Sequence, residues 1–159
     1  MGRGLFWLLV LGGFGIAAWL FATTITIVPQ KQFCFADPVT AGQSGCVWVK
    51  VADIPVSQAK GLSGKWWIPE NVGMLFTYEE PEVLSFWMKE MRFGLDFVWI
   101  REGQVVDITQ DVGKPLSLEA EKTIVSPVVP ADSVVEVNAG WVVRHKIQVG
   151  DNATLRSSP

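Results

Sequence analysis

Residues 5–28, LFWLLVLGGFGIAAWLFATTITIV, run for 24 positions without a charged side chain. A helix needs about 20 apolar residues to cross the hydrocarbon core of a bilayer, whereas the apolar part of a cleaved secretory signal spans about 7 to 15. The length predicts that residues 1–28 form an uncleaved signal anchor, a transmembrane helix. A secreted form, cut at the weak small-residue site around Ala22, Thr23 and Thr24, is the alternative. A buried helix of a soluble protein would have to be apolar all round at the start of the chain. Cys34 follows Lys-Gln-Phe rather than a run of small residues, which argues against a lipidated cysteine. Arg3 before the span and Lys31 after it give little charge asymmetry. The short N-terminal tail favours the amino end in the cytoplasm and the remainder outside.

That remainder, residues 29–159, holds 131 residues, enough for one core. It carries 12 Lys and Arg against 16 Asp and Glu, with no basic cluster beyond two neighbours. A surface that tracks phosphates leaves a basic stripe, so nucleic acid is not an expected partner. Cys34 and Cys46 have eleven residues between them. Outside the cytoplasm such a pair reads as one disulfide, worth about 3 kcal/mol by loop-closure entropy. With a single histidine, His145, the pair makes a poor zinc set. No P-loop or dinucleotide fingerprint occurs, so neither metal nor cofactor is expected.

Residues 29–46 mix Pro, Gly, Gln and Ser with little periodicity and read as a linker to a domain at 47–155. From Cys46 the pattern alternates, with Val47, Val49 and Val51 on one face and Trp48, Lys50 and Ala52 on the other, a half-buried strand. IPVSQAKGLSGK has an early Pro and late Gly, the asymmetry of a short helix. WWIPENVG reads as a loop and MLFTYEE as a strand. Leu95, Phe97 and Trp99 alternate with Asp96, Val98 and Ile100. Glu102-Gly103 offers a two-residue turn, which would set Trp99 opposite Val106 and Phe97 opposite Ile108. The Asp96 side of this hairpin is expected to be the wetter one. SVVEVNAG reads as another strand, AGWVVRHKIQVGD as one or two helical turns, and NATLRSSP as a strand edge or frayed tail. Several short strands separated by turns, with only brief helices, indicate a mainly β domain, a sandwich or barrel.

Three stretches, VADIPVSQAKGLSG, GMLFTYEEPEVLSFWMKEMRFGLDFVWIREGQVV and VVEVNAGWVVRHKIQVGD, resemble in order the bacterial and archaeal family called domain of unknown function 192. Glu90 stands where that family often has Asn, and Gly94 where it often has Pro. The resemblance implies a jelly-roll-like β-sandwich with short helices, commonly behind a signal sequence or N-terminal anchor. It implies no reaction.

Seven residues stand out as candidate ligand-binding positions: Trp66, Trp67, Trp87, Lys89, Asp96, Glu136 and Asn138. Trp66 and Trp67 lie in a loop, where they could stack on a sugar or partner or plug the end of the sandwich. Trp87, Trp99 and Trp141 read as core. Lys89 could set its ammonium over Trp87. Asp96 could accept a ligand's hydrogen bond, or pair with Lys89 or Arg92, or bind backbone N–H groups. Glu136 and Asn138 share a strand face and could tie down the following turn. His145 reads as a solvated helix end, since no nucleophile elbow accompanies it. With no catalytic residue identified, the leading expectation is a non-enzymatic, membrane-anchored, extracytoplasmic module binding an envelope glycan, small molecule or protein. A hydrolase using Asp96 and Glu136, and a structural partner of a membrane complex, are the alternatives. Hydrolysis would require the two carboxylates to converge about 5 to 9.5 Å apart.

Overall fold

The computed structural model describes residues 31–40, 42–117 and 124–156. The charge-free run at 5–28 lies outside them. No helix among the described residues is long and apolar enough to cross a membrane.

Seven strands close a barrel in the order β1 (Lys31–Ala36), β2 (Gln43–Ala52), β3 (Val72–Glu82), β8 (Ala131–Asn138), β5 (Leu95–Arg101), β6 (Gln104–Val112) and β9 (Asn152–Arg156). β4 (Phe86–Trp87) and β7 (Ile124–Val125) form a separate two-stranded ribbon. Two short helices complete the fold, α1 (Pro55–Lys60) and α2 (Trp141–His145). The chain is mainly β, but a closed barrel replaces the expected sandwich. Closure removes the exposed edges a sandwich leaves, and it depends on segments that looked weakest in sequence. Lys31–Ala36, inside the stretch read as linker, is a strand because Phe33 and Phe35 both point inward and are buried. β9, read as an edge or tail, pairs with β1 from Gln32↔Arg156 to Ala36↔Asn152. It meets β6 through Gln104↔Asn152, reinforced by Val105 N–H on Asp151 O at 2.9 Å and Ala153 N–H on Gly103 O at 2.8 Å.

All barrel pairings are antiparallel except β2 with β3. A parallel pair needs a crossover of a dozen or more residues, and residues 53–71, with α1, supply it. Pro55 opens α1, and Gly61 ends it at a φ of 47°. Cys34 and Cys46 face each other across β1 and β2 and are joined by a disulfide.

Two apolar layers share the central strands. The barrel interior draws on all seven strands, through residues such as Phe35, Val49, Leu75, Val98, Val105, Val135 and Ala153. Trp141, Val142 and Ile147, from α2 and the turn after it, belong to this layer. Gly45 makes room for α2, since a Cβ there would stand 2.9 Å from the His145 Cβ. The second layer lies outside the barrel, on β3, β8 and β5, under a cover made by residues 62–68 and 84–91 with Val125. Leu95 through Ile100 are therefore buried on both faces. The Asp96 side, expected to be wetter, is the barrel interior. The charges near the start of this region have a simple reason. Phe86, Met88 and Met91 of the strap at 84–91 point down into the outer layer, while Lys89 and Glu90 sit on its solvent side and Arg92 follows it, also exposed. Each buried member contributes roughly 1.5–3 kcal/mol by leaving water.

The β5–β6 turn falls at Glu102-Gly103, both at positive φ (52° and 76°), as a type I′ hairpin requires. Past it the register departs from the simple expectation. A bulge at Val106 sets Trp99 opposite Asp107 and Phe97 opposite Thr109. A second shift lies between Leu95 and Phe97, facing Asp111 at φ 52°.

Candidate functional site

The loop after α1 and the strap that carries β4 are clipped together. Ser63 Oγ donates to Lys89 O at 2.9 Å, and Gly64 N–H donates to Glu90 O at 3.1 Å. The arginine after the strap, Arg92, lays its guanidinium over the Trp66 ring, 3.8 Å from the centroid. Lys89 Nζ stands 5.8 Å over Trp87. The two clipped segments thus hold three exposed indoles, Trp66 at 73 %, Trp67 at 65 % and Trp87 at 52 %. Trp87, expected in the core, is exposed because β4 pairs only with the two-residue β7 at the surface.

Asn138, at the end of β8, anchors this loop from below. Its Nδ2 donates to Pro69 O at 3.1 Å and to Ile68 O at 3.3 Å. It bonds the loop preceding β3 rather than the turn that follows its own strand. Arg144 on α2 adds a 2.8 Å ion pair to Glu70. Ile68, Glu70, Asn138 and Arg144 line an open groove of about 390 Å³.

Glu136 lies beneath the strap. It pairs across β8 with Phe97 and Met74, which puts it on the outer layer, and it is only 5 % exposed. Its Oε2 is buried with no hydrogen-bond partner among the described residues. Burial pushes its carboxyl up from 4.5 to about 8. The phenol of Tyr78 is raised as well, first by burial and then by the negative charges of Glu82 and Glu136. Glu136 opens into a recess of about 20 Å³ walled by Phe76, Phe86, Trp87, Met91 and the end of α1.

Asp96 is elsewhere. Its cross-strand partner is Val137, a barrel-interior residue, so it faces the opposite side of the sheet from Glu136. Fully buried, it accepts Asp111 N–H at 2.8 Å and Val142 N–H at 3.0 Å. This joins the second register shift of β6, at Asp111, to the first turn of α2. Arg92 is over Trp66 instead. A hydrolytic pair of Asp96 and Glu136 is ruled out by this placement, since a sheet stands between the two carboxyls. His145 is not a solvated end either: it is half-buried, stacked at 4.1 Å on Trp141, with Nδ1 2.9 Å from Trp141 O. No group of three His, Cys, Asp or Glu among the described residues is placed to hold a metal ion.

The structure therefore gathers Trp66, Trp67, Trp87 and Lys89 on one pair of loops, with Glu136 below and Asn138 as an anchor. Arg92 is not among the seven candidate positions that the sequence suggests. Twenty-five residues lie between it and the ring it covers, and no local pattern encodes that contact.

The family model for domain of unknown function 192, described as "Uncharacterized ACR", matches residues 38–155. Among solved structures the chain is similar to a Sinorhizobium meliloti 1021 protein provisionally described as a transcription regulator. They share 25% identity and a TM-score of 0.69 over 79% of this chain and 92% of that one. A protein of unknown function from Novosphingobium aromaticivorans DSM 12444 has 22% identity and a TM-score of 0.68, over 77% and 83%. That second likeness speaks to the fold alone. Comparison with curated proteins gives no match.

Proposed function

This chain belongs to the domain-of-unknown-function-192 family, and on that premise we propose that it is a non-enzymatic binding module whose ligand is a glycan of the cell envelope. One observation carries the reading: two loops bonded to each other hold Trp66, Trp67 and Trp87 in water. Trp is highly buried on average, yet none of these three belongs to either apolar layer. Flat indoles braced by Arg92 and Lys89 suit the apolar faces of sugar rings. We propose further that residues 5–28 anchor the domain outside the cytoplasm. The charge-free run and the Cys34–Cys46 disulfide support this, the latter because disulfides persist in oxidising compartments. The transcription-regulator description of the S. meliloti protein gains no support from a domain with fewer basic than acidic residues.

A thermal-shift screen against envelope oligosaccharides tests the reading. A true ligand raises Tm by mass action. Trp66→Ala and Trp67→Ala are expected to abolish the shift while leaving the circular dichroism of the fold unchanged. A ligand response that survives both substitutions refutes this binding face.

A further inference from the structure

The aromatic face carries a charge balance opposite to that of the whole chain. Segments 60–67 and 84–92 hold four cations, Lys60, Lys65, Lys89 and Arg92, against one acid, Glu90, in a sequence with 13 Lys and Arg to 16 Asp and Glu. Lys89 and Arg92 are exposed, and among the described residues the side chain of neither forms an ion pair or a hydrogen bond. Each is held instead by an indole, Arg92 by Trp66 at 3.8 Å and Lys89 by Trp87 at 5.8 Å. A guanidinium at that height stacks on the ring and keeps its N–H donors, which lie in its own plane, for a partner beside the ring. Glu90 pairs with neither cation: its Oε2 lies 3.9 Å from where a Cβ of Gly64 would stand, and Lys60 Nζ comes within 3.7 Å of the same point. Next to Trp66, Lys65 has its ammonium pulled below its ordinary value, first by burial and then by the positive charges of Lys50 and Lys60. Glu136 beneath, whose carboxyl is pushed up to about 8, opposes them little at neutral pH. The face is locally basic. Long cationic side chains ordinarily lose rotamer freedom when they grip an anion, and bracing on an indole has already taken part of that freedom here.

We propose that the glycan held by this face is acidic: its sugar rings rest on the indoles, and oxyanion groups on those rings, carboxylate or phosphate, meet Arg92 and Lys89. This rests on the glycan reading and names its substrate class. Arg92 takes an oxyanion through two parallel N–H bonds, and Lys89 acts as a point charge. Binding is non-covalent and screened by salt, since both cations are exposed. Single-stranded nucleic acid also joins stacked rings to phosphates. The Cys34–Cys46 disulfide favours the glycan, because disulfides persist in oxidising compartments.

The test titrates the full-length chain in detergent micelles with two matched pairs and a control: oligogalacturonate and its methyl ester, phosphorylated dextran and plain dextran, and oligothymidylate. In at least one pair the acidic member is expected to bind about tenfold more tightly at about 50 mM salt, the order of two exposed charge pairs together. Which pair shows the preference tells carboxylate from phosphate. The preference is expected to shrink severalfold at about 500 mM salt, and to vanish when Lys89→Gln and Arg92→Gln are combined. It is read as a ratio within each protein, so an indole loosened by the substitutions, which weakens both members of a pair, does not imitate its loss. Equal affinity within both pairs overturns the acidic ligand while leaving the glycan reading intact, and needs no variant to fold. A preference that survives the double substitution overturns the roles of Lys89 and Arg92. If no sugar binds, the glycan reading falls and this proposal with it. Oligothymidylate binding more tightly than every sugar assigns the face to nucleic acid and overturns both.

Discussion

Asp96 and Glu136 lie on neighbouring strands, both buried, and their surroundings differ in kind. Asp96 faces the barrel interior and receives two backbone N–H groups, from Asp111 and Val142. Glu136 faces the outer layer, and its Oε2 receives none from the described residues. The first is a structural tie: it joins the register shift at Asp111 in β6 to the helix whose Trp141 and Val142 pack in the barrel interior. The second is a liability to the fold, since a buried polar group left unpaired costs about 1–3 kcal/mol. One sheet thus separates a completed interior from a layer that keeps an open polar valence beside an exposed aromatic face. The contrast sets the proposed binding face over the outer layer.

The largest expected effect tests the inner half of that contrast. Asp96→Ala leaves two N–H groups without their acceptor and opens a gap in a packed interior, so it should cost about 3–5 kcal/mol. A drop in the urea midpoint measures it. A loss well below 1 kcal/mol would mean that water replaces the carboxylate and that the interior is not closed there.

The outer half is read by pH. The folded-state value of Glu136, about 8, lies above its ordinary 4.5, so the native chain holds a proton that the unfolded chain has released. The stability linked to that proton is complete below about pH 4.5 and lost as pH rises through about 8. Glu136→Gln removes the titration. Its stability should vary less with pH in that window and exceed the wild type at pH 8 by about 4 kcal/mol, the order implied by such a shift. Parallel wild-type and variant curves between pH 5 and 8 would show that Glu136 is paired in solution, and the two acids would then be alike.

Local rules exposed some of this in the sequence. Pro55 and Gly61 bracket α1, positive φ at Glu102-Gly103 turns the hairpin, and the alternation from Val47 names a strand. Alternation also put Asp96 and Phe97 on opposite faces, but it could not say that both faces are dry, because a strap from residues 84–91 supplies the second cover. The partners of Asp96 lie 15 and 46 residues away and depend on a bulge that no pattern announces. Closure by β1 and β9 is likewise a pairing between opposite ends of the described chain. For the site, the loop at Trp66 and Trp67 was legible from its Gly and Pro neighbours. Trp87 was not, since alternation places a side chain relative to its neighbours and gives no depth.

The smallest effects sharpen how the outer layer aims its aromatic face. Asn138→Ala removes two side-chain bonds to a partly exposed loop and should cost about 1 kcal/mol. Trp66→Ala loses an exposed stacking contact with Arg92 and should cost about 0.5–1 kcal/mol, in keeping with an indole that lies mostly in water. The two substitutions differ in what they do to exchange of backbone protons. Val72 N–H donates to Pro69 O, and Trp48 N–H donates to Asn71 O. If Asn138 holds the loop, its loss should speed hydrogen–deuterium exchange at Val72 and Trp48, whereas Trp66→Ala should leave both rates unchanged. Equal protection in the two variants would mean that Arg144–Glu70 and the clips at Ser63 and Gly64 suffice to place the loop. Asn138 would then be free to offer its amide to a ligand in the adjoining groove.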